Sequence, residues 1–167
     1  MPTDDFPLFF QVVRVKFLRI REQRICRGKR DPHLTETETA KAKSHLEAKE
    51  AAYLAANSSE SKKAVSTLIL DVHTVTILAD YFVITGGQTS TQVRAIANAI
   101  EDSLETLGLR ARSIEGKTEG RWVLMDYGDV IVHILQEKER NFYKLEQFWN
   151  HALIVDRNEW FKEDFDP

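Results

Sequence analysis

Hydrophobic and polar positions change rhythm several times along this chain, and each change marks an element. Aliphatic and β-branched residues dominate Val65–Val72, which predicts a strand. A second apolar run, Asp80–Thr85, predicts another strand that stops at Gly86-Gly87. The period then lengthens. Val93, Ile96, Ala97, Ile100, Leu104 and Leu107 recur at helical spacing and line one face. Thr89, with Gln92 three residues on, has the spacing of a capping box at the start of this helix. Gly108 stands where a left-handed residue ends a helix, and Leu109 is placed to pack back on Leu104 as in a Schellman motif.

Arg110–Glu115 predicts a short third strand, closed by Gly116 and a polar run to Gly120. Two further strands flank Tyr127-Gly128, an X-Gly pair that signals a two-residue hairpin loop. That loop sets Asp126 opposite Asp129, Leu124 opposite Ile131, Val123 opposite Val132 and Trp122 opposite His133. Alternation then gives one face Val123, Met125, Val130, Val132 and Ile134, an ordinary core. The other face carries Trp122, Leu124, Ile131 and His133, with the two aspartates at its end. Two readings stay open for it. Either a helix covers the apolar part and the aspartates flank a turn, or a partly exposed aromatic patch with an acidic edge docks a basic protein.

Glu139–Asn150 predicts a helix whose stripe of Phe142, Leu145, Phe148 and Trp149 faces the core, with Tyr143 at its boundary. Residues 153–167 are acidic and aromatic and carry no element assignment. Upstream, residues 35–64 are rich in helix formers, but Leu46, Tyr53 and Leu54 are too sparse for a strong stripe. The run breaks at Asn57-Ser58-Ser59, so this part reads as a mostly solvated helix or linker whose last turns touch the core.

Composition sharpens this picture. Among 167 residues, 43% are hydrophobic, which excludes wholesale disorder. No uncharged apolar run approaches the roughly 20 residues of a membrane-spanning helix. Cys26 is the lone cysteine, so neither an internal disulfide nor a zinc site built from several cysteines can form, and a reducing, cytoplasmic setting is the natural reading. The net charge of −3 hides two unlike parts. Residues 1–34 carry eight Lys and Arg against four Asp and Glu, a net of +4, and the remainder stands at −7. The basic piece has the arginines of an organelle transit peptide, but Asp4 and Asp5 open it and no serine precedes Ser44, which weakens that reading. An acidic body is repelled by a phosphate backbone and suits a basic protein partner.

Catalytic motifs are sparse. The chain has no G-x-G-x-x-G, no Walker lysine loop and no H-E-x-x-H, and His133 sits mid-strand without a nearby second histidine. Gly86–Ser90 precedes a helix and could hold an anion on free backbone N–H groups. It resembles the Gly-Ser turn of nucleotidyltransferases, so a nucleotide-binding protein or enzyme using that turn is the alternative reading. The favoured one is a non-enzymatic protein without cofactor or metal.

From about Ala52 to Ala152 the chain resembles the ribosomal silencing factors, the Iojap/RsfS family. The resemblance is carried by Lys62-Lys63-Ala64, Leu78–Ile84, Gln92–Ala97, Glu115-Gly116, Gly120, Trp122–Leu124, Asp126–Ile134, Glu139-Arg140, Phe142-Tyr143, Leu145-Glu146 and Trp149. It divides the chain into a basic extension and polar helix or linker (1–51), the family domain (52–152) and an acidic tail (153–167). It implies a single α/β domain, a mixed sheet of about five strands flanked by helices, with nucleotidyltransferase-like topology. It further implies binding to the large ribosomal subunit through ribosomal protein L fourteen, a steric block to small-subunit joining, and lower translation when nutrients are scarce. No membrane and no sequence-specific nucleic acid enter this reading, and a homodimer when free is compatible with it. The expected contact residues are Trp122, Leu124, Asp126, Tyr127, Asp129 and His133, with Glu115 and Arg140 beside them.

Overall fold

Strands that are apolar at nearly every position need cover on both faces, and two stretches of this chain have that character. In the computed structural model, which describes residues 37–162, they lie side by side as the parallel pair β2 (Tyr81–Gly87) and β5 (Val130–Gln136). Phe82 is in register with Ile131 and Ile84 with His133. β1 (Val65–Asp71) runs antiparallel on the other side of β2, and β4 (Trp122–Asp126) antiparallel on the other side of β5. β3 (Ser113–Glu115) extends the sheet beyond β4, and β6 (Leu153–Ile154) extends it beyond β1. The result is a mixed six-stranded sheet in the order β3-β4-β5-β2-β1-β6.

The strand beyond the expected five comes from the tail, where the pattern predicts no element. Leu153 and Ile154 are exposed, so their strand is defined by pairing with Asp71 and Leu70 and not by an apolar face.

One face of the sheet is covered by α1 (Thr37–Ser61) and α2 (Ser90–Thr106). Ile69, Tyr81, Val83, Val123, Met125, Val130, Val132 and Ile134 from the strands form one buried cluster with Val93, Ile96, Ala97, Ile100 and Leu104 of α2. The α2 ends follow their sequence signals. Thr89 accepts the Gln92 N–H at 3.1 Å, while the Gln92 carboxamide reaches back to the Gln88 N–H at 2.8 Å. At the other end Gly108, φ +72°, donates to the Glu105 carbonyl and Leu109 to that of Leu104, the paired bonds of a Schellman motif.

α1 departs from the solvated helix or linker expected there. Ala48, Ala51, Ala52, Ala55 and Ala56 are buried in the same cluster. Small side chains let a helix backbone come close to a sheet, so this stripe needs no large apolar residue. Asn57-Ser58-Ser59 does not break it either. The Ser58 and Ser59 hydroxyls donate to the Leu54 and Ala55 carbonyls one turn back. Asn57 donates to the Trp160 carbonyl at 2.5 Å and accepts the Lys162 N–H at 3.0 Å. The helix therefore holds the C-terminal segment, where α5 (Arg157–Trp160) buries Trp160 in the core.

The expected helix Glu139–Asn150 is divided into α3 (Glu137–Tyr143) and α4 (Leu145–Phe148). Lys144 adopts φ +47°, ψ +50°, a left-handed conformation that no right-handed helix can pass through. The break turns Leu145 inward to a buried site, while Phe142 and Phe148, expected in the core, stay exposed.

The alanine stripe makes a direct prediction. Ala55→Leu overfills the α1–sheet contact and should lower stability by about 1–3 kcal/mol, read as a reduced urea midpoint at unchanged slope.

Candidate functional site

The second face of the sheet is built from Leu70, Phe82, Ile84, Trp122, Leu124, Asp126, Ile131, His133 and Leu135, all buried. Its composition follows the alternation expected for β4 and β5. Its register does not. Asp126 pairs with Ile131, Leu124 with His133 and Trp122 with Leu135, a displacement of two residues from the expected pairing. The Tyr127 N–H donates to the Val130 carbonyl at 2.9 Å, so the turn is centred on Gly128-Asp129 and not on Tyr127-Gly128. Gly128 takes φ +94° at the first central position, where a tight hairpin loop calls for glycine. A shift of two keeps every side chain on its own face, which is why the face assignment survives the register correction.

The physical reason for the shift lies in Asp126. Its side chain is buried and accepts the Gly128 N–H at 2.7 Å, an Asx-type bond that forms the turn one residue later. Asp129 sits half-buried in that turn, and its carbonyl accepts the N–H groups of Asp80 and Tyr81 at 2.8 and 3.0 Å. The expected cross-strand pair of aspartates is therefore not formed.

Nor is the face an exposed patch. Trp122, Leu124 and His133 are buried, as the covered-face reading expected, and so is Asp126, which that reading left at a turn. The Trp122 indole donates to His133 Nδ1 at 3.3 Å, and because an indole can only donate, that nitrogen holds its lone pair towards Trp122. Two chains of rings lead outward from this floor. Trp122 contacts Tyr143 (centroids 5.5 Å apart), which meets Phe142 edge to face at 4.9 Å. Phe82 contacts Trp149 at 5.1 Å, which meets Phe148 at 5.5 Å. Phe142 and Phe148 end these chains at 69% and 56% exposure.

The remaining expected residues are scattered around this floor. Glu115 is half-buried on β3, paired with Leu124. Arg140 is a clamp: its Nε donates to Glu146 at 2.5 Å and its Nη1 to the Val65 carbonyl at 3.0 Å, tying α3 to the bulged start of β1. Tyr127 turns into the opposite core, and its hydroxyl is buried without a hydrogen-bond partner among the described residues. Burial, followed by the charge of Glu101, pushes that phenol well above the ordinary tyrosine value. The outward phenylalanines were the residues missed as surface. Their sequence signal, an i, i+6 pair on a helical stripe, is the same as for core residues until Lys144 breaks the helix.

Around the Gly86–Ser90 turn, two backbone N–H groups are occupied by side chains. The Gln88 and Gln92 N–H groups are taken by the Gln92 and Thr89 side chains, and the Gln92 amide also donates to the Lys62 and Lys63 carbonyls.

Two variants probe this construction. Trp122→Ala removes the floor of one ring chain and should cost about 3–5 kcal/mol, visible as a fall in melting temperature. Tyr127→Phe deletes an unpaired buried hydroxyl and should be neutral or stabilising, by up to about 1–3 kcal/mol. Because the folded-state phenol titrates above its unfolded value, the stability it supports is complete below about pH 10 and lost as pH rises beyond it. Denaturant melts at about pH 9 and about pH 11 should therefore show a smaller loss in Tyr127→Phe than in the parent.

Residues 45–166 match the family model described as "Ribosomal silencing factor during starvation". The chain is 41% identical over 103 residues to the ribosomal silencing factor RsfS of Bacillus subtilis, covering 62% of this chain and 87% of that protein. It is 31% identical over 94 residues to the chloroplastic protein Iojap of Zea mays, covering 56% of this chain and 41% of that one. A crystal structure from Chromobacterium violaceum superposes with a TM-score of 0.60 at 32% identity, over 61% of this chain and 85% of the other. With well over half of its length matched, and its fold shared with a solved relative, the chain belongs to the ribosomal silencing factor family.

Proposed function

We propose that this protein binds the large ribosomal subunit through ribosomal protein L fourteen and represses translation by blocking small-subunit joining when nutrients are limiting. The observation that carries the reading is the family match across residues 45–166, with relatives named as ribosomal silencing factors. Charge supports it as well: residues 35–167 stand at −7, a body suited to a basic protein and not to bare RNA.

The contact surface we propose is the helical cover of the second sheet face. Phe142 and Phe148 supply exposed aromatic area, of the kind enriched where interfaces are most tightly packed. Beneath them Trp122 supports Tyr143 and Phe82 supports Trp149, with Leu124, Asp126 and His133 buried in the same sheet face. Arg140 fixes α3 against β1, while Glu115 on β3 and the Tyr127–Asp129 turn, though expected among the contacts, lie apart from Phe142 and Phe148 in the fold. Relatives carry bacterial, chloroplastic and mitochondrial names, so the ribosome met depends on the compartment. The basic segment 1–34, with its targeting reading and Cys26, lies outside the described residues. Among the described residues no helix is long and apolar enough to cross a membrane.

The combined variant Phe142→Asp/Phe148→Asp should keep its melting temperature, because both side chains are exposed, and lose co-sedimentation with isolated large subunits at least tenfold. Full binding by that folded variant would remove this surface from the proposal. In a purified system, chain added before small subunits should lower the yield of joined ribosomes; an unchanged yield would reject the steric mechanism.

A further inference from the structure

A group of side chains on the other side of the molecule has no part in that reading. Asp71 ends β1, His73 follows two residues later, and His45 comes to them from α1. His73 Nδ1 lies 2.5 Å from Asp71 Oδ1, and the His73 backbone N–H donates to the same oxygen at 3.3 Å. The His45 and His73 rings are tilted against each other with centroids 4.9 Å apart. One ligand-capable atom from each of His45, Asp71 and His73 lies within 4.8 Å of the other two.

A second layer sets the orientation of His45. Asp80 Oδ2 is 3.3 Å from His45 Nδ1, and a carboxylate can only accept, so the proton sits on Nδ1. In the neutral ring Nε2 then carries the lone pair and accepts from the Tyr81 hydroxyl 3.0 Å away. A carboxylate holding one ring nitrogen of a histidine while the other faces a ligand is the arrangement that supports metal-binding imidazoles.

We propose that His45, Asp71 and His73 bind a divalent transition-metal ion of the Zn²⁺ class, with Asp80 as the positioning residue for His45. Two imidazoles and one carboxylate are donors that Zn²⁺ accepts readily, while Mg²⁺ and Ca²⁺ prefer all-oxygen sets. Zn²⁺ bonds of about 2.0–2.1 Å in tetrahedral geometry place neighbouring ligand atoms roughly 3.3 Å apart. The widest-spaced donors, within 4.8 Å, must therefore close by up to about 1.5 Å, while His73 Nδ1 and Asp71 Oδ1, 2.5 Å apart, must open by roughly 0.8 Å. Side-chain rotation supplies that movement, since His45 and His73 are both partly solvent-exposed. The metal would replace the Tyr81 hydroxyl at His45 Nε2 and the shared proton between His73 and Asp71, leaving its fourth position to water. Bound there, it would pin α1 to the end of β1 and the segment entering β2. The site depends on side chains at the α1–α2 face, not on Phe142 and Phe148, so it stands or falls independently of the ribosome-binding proposal.

The test is calorimetric titration of the full, chelator-stripped chain with ZnCl₂, with MgCl₂ as the parallel probe and far-UV circular dichroism to confirm folding. One Zn²⁺ per chain should bind and raise the melting temperature, and Mg²⁺ should do neither. His45→Gln and His73→Gln should each weaken Zn²⁺ binding at least tenfold, and Asp80→Asn by about 10–100-fold, as expected for an outer partner of a ligand. His151→Gln, an exposed histidine outside the cluster, should bind as the parent does. Zn²⁺ binding retained in a folded His45→Gln/His73→Gln double variant, equal responses to Zn²⁺ and Mg²⁺, or no Zn²⁺ binding by the parent chain would each overturn the proposal.

Discussion

A parallel pair of strands, buried on both faces, is the constraint from which the rest of this structure follows. β2 is buried along its whole length and β5 along all but its last residue. Buried backbone groups must find partners, and in a parallel pair they find them only if another chain segment lies on each outer side. β1 and β4 supply those partners, and the sheet they make has two apolar faces that water must not reach. Everything outside the sheet can be read as an answer to that requirement.

The two answers differ in chemistry. On one face α2 brings large aliphatic side chains, and α1 brings a stripe of buried alanines. On the other face the cover is short and interrupted, two single-purpose helices joined at a left-handed lysine. Short helices cannot bury all their apolar residues at once. Leu145 is committed inward, and the phenylalanines on either side are left on the surface. An exposed aromatic pair supported by buried rings is thus a by-product of how this face is closed.

Local signals were legible where one residue's geometry decides an element's end. Thr89, Gln92 and Gly108 bound α2 through hydrogen bonds within a few residues of chain, so their spacing sufficed. The face assignments of β4 and β5 were legible for a similar reason, since alternation along a strand does not depend on what it pairs with. The hairpin register was not. Tyr127-Gly128 and Gly128-Asp129 are both acceptable two-residue turns, and the choice between them rests on a buried Asp126 bonding the Gly128 N–H.

The sequence by itself therefore determined the strands, the α2 boundaries, the division of side chains between two faces and, through ordered motifs, the family. Tertiary structure alone decided which apolar residues became surface, that an alanine helix belongs to the core, that the tail adds a sixth strand, and that His45 meets Asp71 and His73. Periodicity records how a segment divides its own sides, whereas burial and side-chain meetings depend on what lies opposite. That partner is chosen only when distant segments compete for the same sheet face.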